Sequence, residues 1–222
     1  MTTNAMPSRQ SLTTLIRSLG SSRWTLTRTL HSDNPLDLNG ELRGTATFTA
    51  LPDTADHDWL YSEEGEIPAA VGRGIVPAGL RWTKKYIWRL GSDAERISVW
   101  FVKVAPGPEV ADYLFHDFDF AEAQVRDSKP KSPVPNAEEG EGEGDANDAF
   151  VAPPTPPAVA ALGAETAVLA ARGNHLCIND MYRTAYAFRI RPDTGEVVSW
   201  ASRHVVRGPK KDQEIINRYE RG

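Results

Sequence analysis

The sequence predicts an all-β chain: a closed antiparallel up-and-down barrel of about nine strands, with a short N-terminal helix and a long disordered insertion. Three observations predict it. Apolar residues recur with a period of two through most of the chain. The periodic segments are joined mainly by Gly-, Pro- and Asn-containing turns with no crossover helices, which favours a meander. A meander that closes on itself leaves no exposed edges.

The elements follow in order. Residues 1–10 are polar and read as a disordered lead, and residues 11–222 read as one barrel domain. Leu12, Leu15, Ile16 and Leu19 have helical spacing, with Ser11 as N-cap and Gly20 as stop. From Trp24 the period becomes two, as Trp24, Leu26, Arg28 and Leu30 alternate with threonines. Further strands are expected at Glu41 to Phe48, where small residues suggest a crowded interior or a bend, and at Trp59 to Glu64. Arg81 to Leu90 puts Trp82, Lys84, Tyr86, Trp88 and Leu90 on one face. Ile97 to Val104 and Asp112 to Phe120 follow. Beyond the insertion, Asn174 to Arg191 reads as one long β-rich stretch with a bulge. Glu196 to Val206 and Asp212 to Arg221 complete the sheet.

The strand pattern is interrupted at about residues 122–172. Seven of the chain's 16 prolines fall between Pro130 and Pro157, around an acidic Glu/Gly tract. Such a composition buries too little apolar surface to offset ordering entropy, so a disordered insertion is expected, with at most a weak helix near Ala158 to Ala171. Asn136 to Ala149 carries a net charge of −6 in a chain of net −5, which leaves the remainder at +1. Nothing in that near-neutral remainder asks for nucleic acid. Cys177 is the single cysteine, so no intrachain disulfide and no four-cysteine zinc site can form. No signal-like h-region or apolar run of membrane-spanning length is visible, so a cytoplasmic chain without a membrane partner is expected. His31, His57, His116, His175 and His204 show no metal-ligand spacing, and neither metal nor cofactor is expected. The oligomeric state is not legible.

Trp24 follows a short helix and opens the first strand, while Arg218 and Arg221 end the last. This order resembles lipocalin-like barrels. The resemblance implies that a basic residue from the end of the chain covers the tryptophan at the barrel floor. A second resemblance is wider. The order Arg28, Gly40 to Phe48, Tyr61 to Gly65, Arg81 to Arg89, Phe115-His116, His175 to Tyr182, Trp200 and Gly208 to Asp212 is similar to an uncharacterised family. That family is one of unknown function, composed of small lipocalin-like (calycin-like) β-barrels. The resemblance runs from Trp24 to Arg221 outside the insertion. The family's arginine–any–tyrosine strand stands here as Lys84-Lys85-Tyr86, and lysine offers no bidentate fork. The resemblance implies a shape and a residue pattern, but no activity.

In a small barrel one face of every strand points inward. If Trp82 and Trp88 face inward, so do Lys84 and Tyr86, and an inward lysine needs a carboxylate, a phenol or a ligand anion. The alternative is that Lys84 snorkels at a strand end. His116 alternates with Leu114, Phe118 and Phe120, so it is either a hydrogen-bonded core residue or an acid/base group. His175, Cys177, Asp180 and Tyr182 form the densest polar cluster, either an acid/base site reached through a bulge or a strand pair packed under a loop. Lys210 belongs to Gly208-Pro209-Lys210-Lys211, read as a basic rim for an anion or as a solvated turn.

The expected function is binding of a small, largely apolar or amphipathic molecule through an anionic or carbonyl group. Trp82, Lys84, Tyr86, Trp88, His175, Tyr182, Trp200 and Lys210 would line the cavity. The alternative is a metal-independent isomerase, cyclase or hydrolase using His116, His175, Asp180 and Tyr182. A third reading is a protein-interaction module, which an exposed apolar patch would favour.

Overall fold

Trp24, Leu26 and Arg28 alternate with threonines because these residues sit on the first strand of a sheet whose other face meets solvent. The computed structural model describes residues 9–52, 57–68, 71, 79–92, 96–120, 151–159, 165–209 and 211–222. Helix α1 (Arg9–Gly20) precedes β1 (Trp24–Ser32), β2 (Gly40–Ala50), β3 (Asp58–Glu66), β4 (Arg81–Leu90), β5 (Ile97–Val102) and β6 (Ala111–Asp117). Then come β7 (Ala167–Cys177), β8 (Asp180–Ile190), β9 (Val197–Arg207) and β10 (Asp212–Arg221). All ten strands form one antiparallel sheet in the order β6-β5-β4-β3-β2-β1-β10-β9-β8-β7. The expected up-and-down barrel is present and nearly closed, with one strand more than expected. The long stretch Asn174 to Arg191 is divided by a tight turn, with Cys177 opposite Asp180. Among the described residues, no helix is long and apolar enough to cross a membrane.

Helix α1 plugs one end, the floor. Its Leu12, Leu15, Ile16 and Leu19 are almost fully buried in the barrel core. The helix begins at Arg9 rather than after a cap at Ser11. Trp24 donates its indole N–H to the Leu19 carbonyl at 2.9 Å, which fixes the helix end to the first strand. The Arg221 guanidinium lies 6.0 Å from the Trp24 ring and donates to the Val197 carbonyl. A cation over an indole contributes about 0.5–2 kcal/mol, and here it ties the last strand to the first. Arg218 pairs with Thr27 on the outward side of β10. The opposite end, the mouth, carries the turns β1–β2, β3–β4, β5–β6, β7–β8 and β9–β10.

The barrel seam lies between β6 and β7. It is bridged where the Asp119 and Arg172 backbones exchange hydrogen bonds of 2.8 and 2.9 Å. A bulge sits in this region: Val99 opposes His116 while Trp100 opposes Leu114. Phe115 and His116, adjacent in sequence, are therefore both buried, and Leu114 faces outward. This corrects the expectation that Leu114 and His116 share a face. The seam is tight at Gly173, where an added Cβ would lie 2.4 Å from the His116 ring and 2.7 Å from a backbone oxygen. Gly173→Ala is expected to destabilise the fold by about 1–3 kcal/mol. Equilibrium urea unfolding measures this, and an unchanged midpoint would show that the seam has room.

Part of the expected 122–172 insertion is ordered structure. Strand β7 begins at Ala167, because pairing with β8 overrides the helix propensity of its alanines, so residues 167–171 are not helical. Residues 151–159 lie along the outer wall of β8 and β9. The Pro157 carbonyl accepts from the Ser199 hydroxyl at 2.6 Å and from Arg189 Nε at 3.1 Å. Beneath them, Ala187, Ser199 and Ala201 are buried on what would otherwise be the solvent face. The rest of the expected disordered insertion up to residue 150, with its acidic tract, lies outside the described residues.

Candidate functional site

Inward parity on β4 places Lys84, Tyr86 and Trp88 on the concave face. Trp88 is buried against Phe48 at 4.9 Å and Trp200 at 5.9 Å between ring centroids. Trp200 lies deeper, stacked on Tyr219 at 3.5 Å. Between these rings is a cavity of about 20 Å³, also bordered by Lys84, Tyr86, Phe115 and His204. That volume holds about one water molecule.

The wall behind the cavity carries a buried polar network. Arg28 and Glu63 form an ion pair at 2.6 Å, with both side chains under a tenth exposed. Strand β2 lies between their strands, and its inward Gly44 and Ala46 leave the guanidinium a path to the carboxylate. Tyr61 donates a short hydrogen bond to Glu63 Oε1, and Tyr219 donates to the same oxygen at 3.2 Å. On the other side, Arg28 Nε donates to Asn217 Oδ1 at 2.7 Å, and Asn217 donates to the Ser202 hydroxyl at 2.9 Å. That hydroxyl lies 3.1 Å from His204 Nε2.

The charge states follow from these contacts. Burial alone raises the Glu63 carboxyl, but Arg28, Lys84 and the hydrogen bonds from Tyr61 and Arg28 outweigh it, so Glu63 stays below the ordinary carboxylate range. Burial, then the negative charge of Glu63, pushes both phenols well up. Burial, then the charge of Lys84, drives His204 well down, so it is neutral. The mid-barrel interior thus holds two cations, Arg28 and Lys84, against one carboxylate. Among the described residues, Lys84 has neither a hydrogen bond nor an ion pair. Its ammonium lies 5.0 Å from the Tyr86 ring.

His116 is a satisfied core histidine. One ring nitrogen lies 3.0 Å from the Tyr186 hydroxyl and the other 3.3 Å from the Asp117 carbonyl, so neither is free for a substrate. Burial holds its pKa down to about 3. His175 and Tyr182 are a directly opposed cross-strand pair with ring centroids 6.1 Å apart. They share the inward face because of the tight β7–β8 turn, not through the expected bulge. Phe115 joins them to β4: it stacks on Tyr86 at 5.7 Å and meets His175 at 5.4 Å and Tyr182 at 5.9 Å. Lys211 donates to the Tyr182 hydroxyl at 2.7 Å.

The structure therefore brings Lys84, Tyr86, Trp88, His175 and Tyr182 into one continuous aromatic lining, with Trp200 beneath it. Other expectations part from it. Trp82 faces inward but does not border the cavity: it packs against both the main core and the mouth-side cluster of Leu42, Ile67 and Val71, with Arg28 5.0 Å from its ring. Gly44 and Gly65 make room for that indole, since a Cβ at Gly65 would lie 2.7 Å from it. Asp180 packs against Gly208, and no hydrogen bond joins it to His175 among the described residues. Asp180 stands opposite Cys177, two residue pairs nearer the turn than His175 and Tyr182, so the expected Asp180–His175 acid/base pair makes no hydrogen bond. Cys177 is exposed, and Lys210 lies outside the described residues.

Sequence reasoning missed Glu63, Tyr61, Tyr219 and His204. A signal existed: Arg28 shares parity with Trp24 and Leu26, and Glu63 with Tyr61, so each marks a charge on an inward face. A second recess of about 260 Å³ opens at the mouth beside Leu30, Leu38 and Ile215. Its Asp37 already accepts hydrogen bonds from Ser32 and Gln213, both at 2.6 Å, which hold its carboxyl below the ordinary range. Among the described residues, no group of three or more His, Cys, Asp or Glu side chains is placed to hold a metal ion.

A comparison with curated proteins finds no match. A family model of unknown function matches residues 21–133 and 158–221, most of the barrel on both sides of the insertion. The chain therefore belongs to the "Family of unknown function (DUF6314)".

Proposed function

We propose that this chain is a calycin-like binding protein. It takes a small, largely apolar molecule by an anionic or carbonyl group, with Lys84 holding the polar end and Tyr86, Phe115, His175 and Tyr182 flanking the apolar body. The observation that carries this reading is Lys84 itself. It faces the concave side without a hydrogen bond or ion pair among the described residues, in an interior where cations outnumber carboxylates. A half-buried ammonium gains most from an anion that can reach it. The cavity of about 20 Å³ accepts only the polar atoms of such a ligand. Entry of the remainder requires Lys84 and Tyr86, both incompletely buried, to rotate toward the mouth.

Dodecanoate is a suitable probe, with dodecanol as its uncharged match. Titration followed by tryptophan fluorescence is expected to show dodecanoate binding more tightly than the alcohol, because Trp88 and Trp200 border the cavity. Lys84→Met is expected to weaken dodecanoate about tenfold or more, the worth of one hydrogen bond to a charged group. Equal affinity of the native chain and Lys84→Met for dodecanoate, or no response to either probe, would refute the reading.

A further inference from the structure

We infer that the outer wall of β8 and β9 is a recognition face for proline-rich peptide, and that residues 151–159 are its ligand in cis. Ala187 opposes Ala201 and Arg189 opposes Ser199 in the ladder, so the four form one patch on the side away from Phe188 and Trp200. Ala187, Ser199 and Ala201 are almost fully buried there. Their side chains are short, which lets a further layer of chain approach the sheet closely.

The segment that covers them has prolines at 153, 154, 156 and 157 and lies in neither helix nor strand. Proline has no N–H to give to a ladder, so such a segment is held by its rings and its carbonyls. Pro156 is buried. Ser199 donates its hydroxyl to the Pro157 carbonyl at 2.6 Å, and Arg189 Nε donates to the same oxygen at 3.1 Å. Arg189 Nη2 donates to the Pro156 carbonyl at 3.2 Å, and Nη1 to the Thr166 hydroxyl at 3.1 Å. Among the described residues no carboxylate pairs with Arg189, so its charge meets neutral oxygens. Donation to two consecutive carbonyls reads a backbone rather than a particular side chain. Proline also loses little freedom on docking, because its φ is already fixed. Small-residue floor, side-chain donors and buried ring together are a chemistry by which folded domains hold proline-rich segments.

Face and ligand also part at the boundary of the family match. Ala187, Arg189, Ser199 and Ala201 lie within it, whereas residues 151–157 fall outside it. The face is thus part of the shared barrel, and the docked prolines are not. A tethered ligand acts at an effective concentration on the order of millimolar, so a peptide in trans binds well only after the cis segment has been displaced.

Pro156→Lys/Pro157→Lys in the full chain sets two cations beside Arg189 and vacates the face. A labelled peptide of residues 151–159 is expected to bind this variant at least tenfold more tightly than it binds the native chain. Adding Arg189→Met should weaken that binding about tenfold or more, the worth of hydrogen bonds from a charged donor. The same peptide with its four prolines replaced by alanine should bind at least tenfold more weakly. A vacated chain that takes no peptide at millimolar concentration, or that takes the alanine peptide equally well, would overturn the inference. The native chain gives a second readout that does not depend on the variant's folding. A proline-specific endopeptidase, with cut sites mapped by mass spectrometry, is expected to cleave within residues 151–159 by local release while the barrel stays folded. Cleavage there only at the rate of global unfolding would make the segment a fixed part of the wall and end the inference.

Discussion

Arg28→Ala is expected to lower the unfolding free energy by about 3–5 kcal/mol. The reason is what it leaves behind. Glu63 is 2 % exposed and would keep its charge in the interior, with only the Tyr61 and Tyr219 hydroxyls and a more distant Lys84 to stabilise it. Asn217 would also lose the donor to its side-chain carbonyl. Glu63→Leu alone should cost a similar amount by stranding Arg28. The double variant Arg28→Met/Glu63→Leu should recover most of the loss, because neither charge then has to be taken out of water. Equilibrium urea unfolding of the four proteins gives the coupling directly. A loss below about 1 kcal/mol for Arg28→Ala would mean that the pair behaves as a solvated one.

The second large effect is acid sensitivity. The folded His116 pKa is about 3, against an ordinary value near 6.5, and His204 is displaced in the same direction. Below pH 6.5 the unfolded chain binds protons that the folded chain refuses, so stability falls as the pH falls, by about 1.4 kcal/mol per pH unit for each such histidine. At pH 4.5 His116 alone accounts for a loss on the order of 3 kcal/mol. Glu63 acts lower on the scale. Its folded pKa is depressed, so its contribution is complete above its unfolded value and is lost as the pH drops through the folded one. His116→Phe keeps a ring beside Phe118 but removes the ring nitrogen 3.0 Å from the Tyr186 hydroxyl, so it should be less stable at neutral pH. It should also show a shallower decline between pH 6.5 and 4.5. Urea midpoints across that range test this, and a slope equal to the native one would remove His116 from the account.

The strands, their order and the inward face of β4 were legible because alternation is a local property that each strand carries in its own residues. The floor was legible for the same reason: a helical apolar stripe ends beside Trp24, and an arginine ends the last strand. The bulge at Phe115-His116, the start of β7 inside an alanine-rich run and the turn at Ile178-Asn179 were not legible. Each is set by what the neighbouring strand offers rather than by the segment's own pattern. The candidate site divides along the same line. Lys84, Tyr86, Trp88, His175 and Tyr182 could be selected by parity, whereas Trp82 was diverted by two glycines on other strands.

By itself the sequence determined an alternating chain that must curl to bury one face, and it determined which side chains that face would hold. Only the tertiary structure decided which of them meet. The Arg28–Glu63 pair spans β1 to β3 across the small residues of β2, and the Tyr61–Tyr219 contact joins residues 158 positions apart in the chain. Such distances are set by closure of the sheet, and closure is a property of all ten strands together.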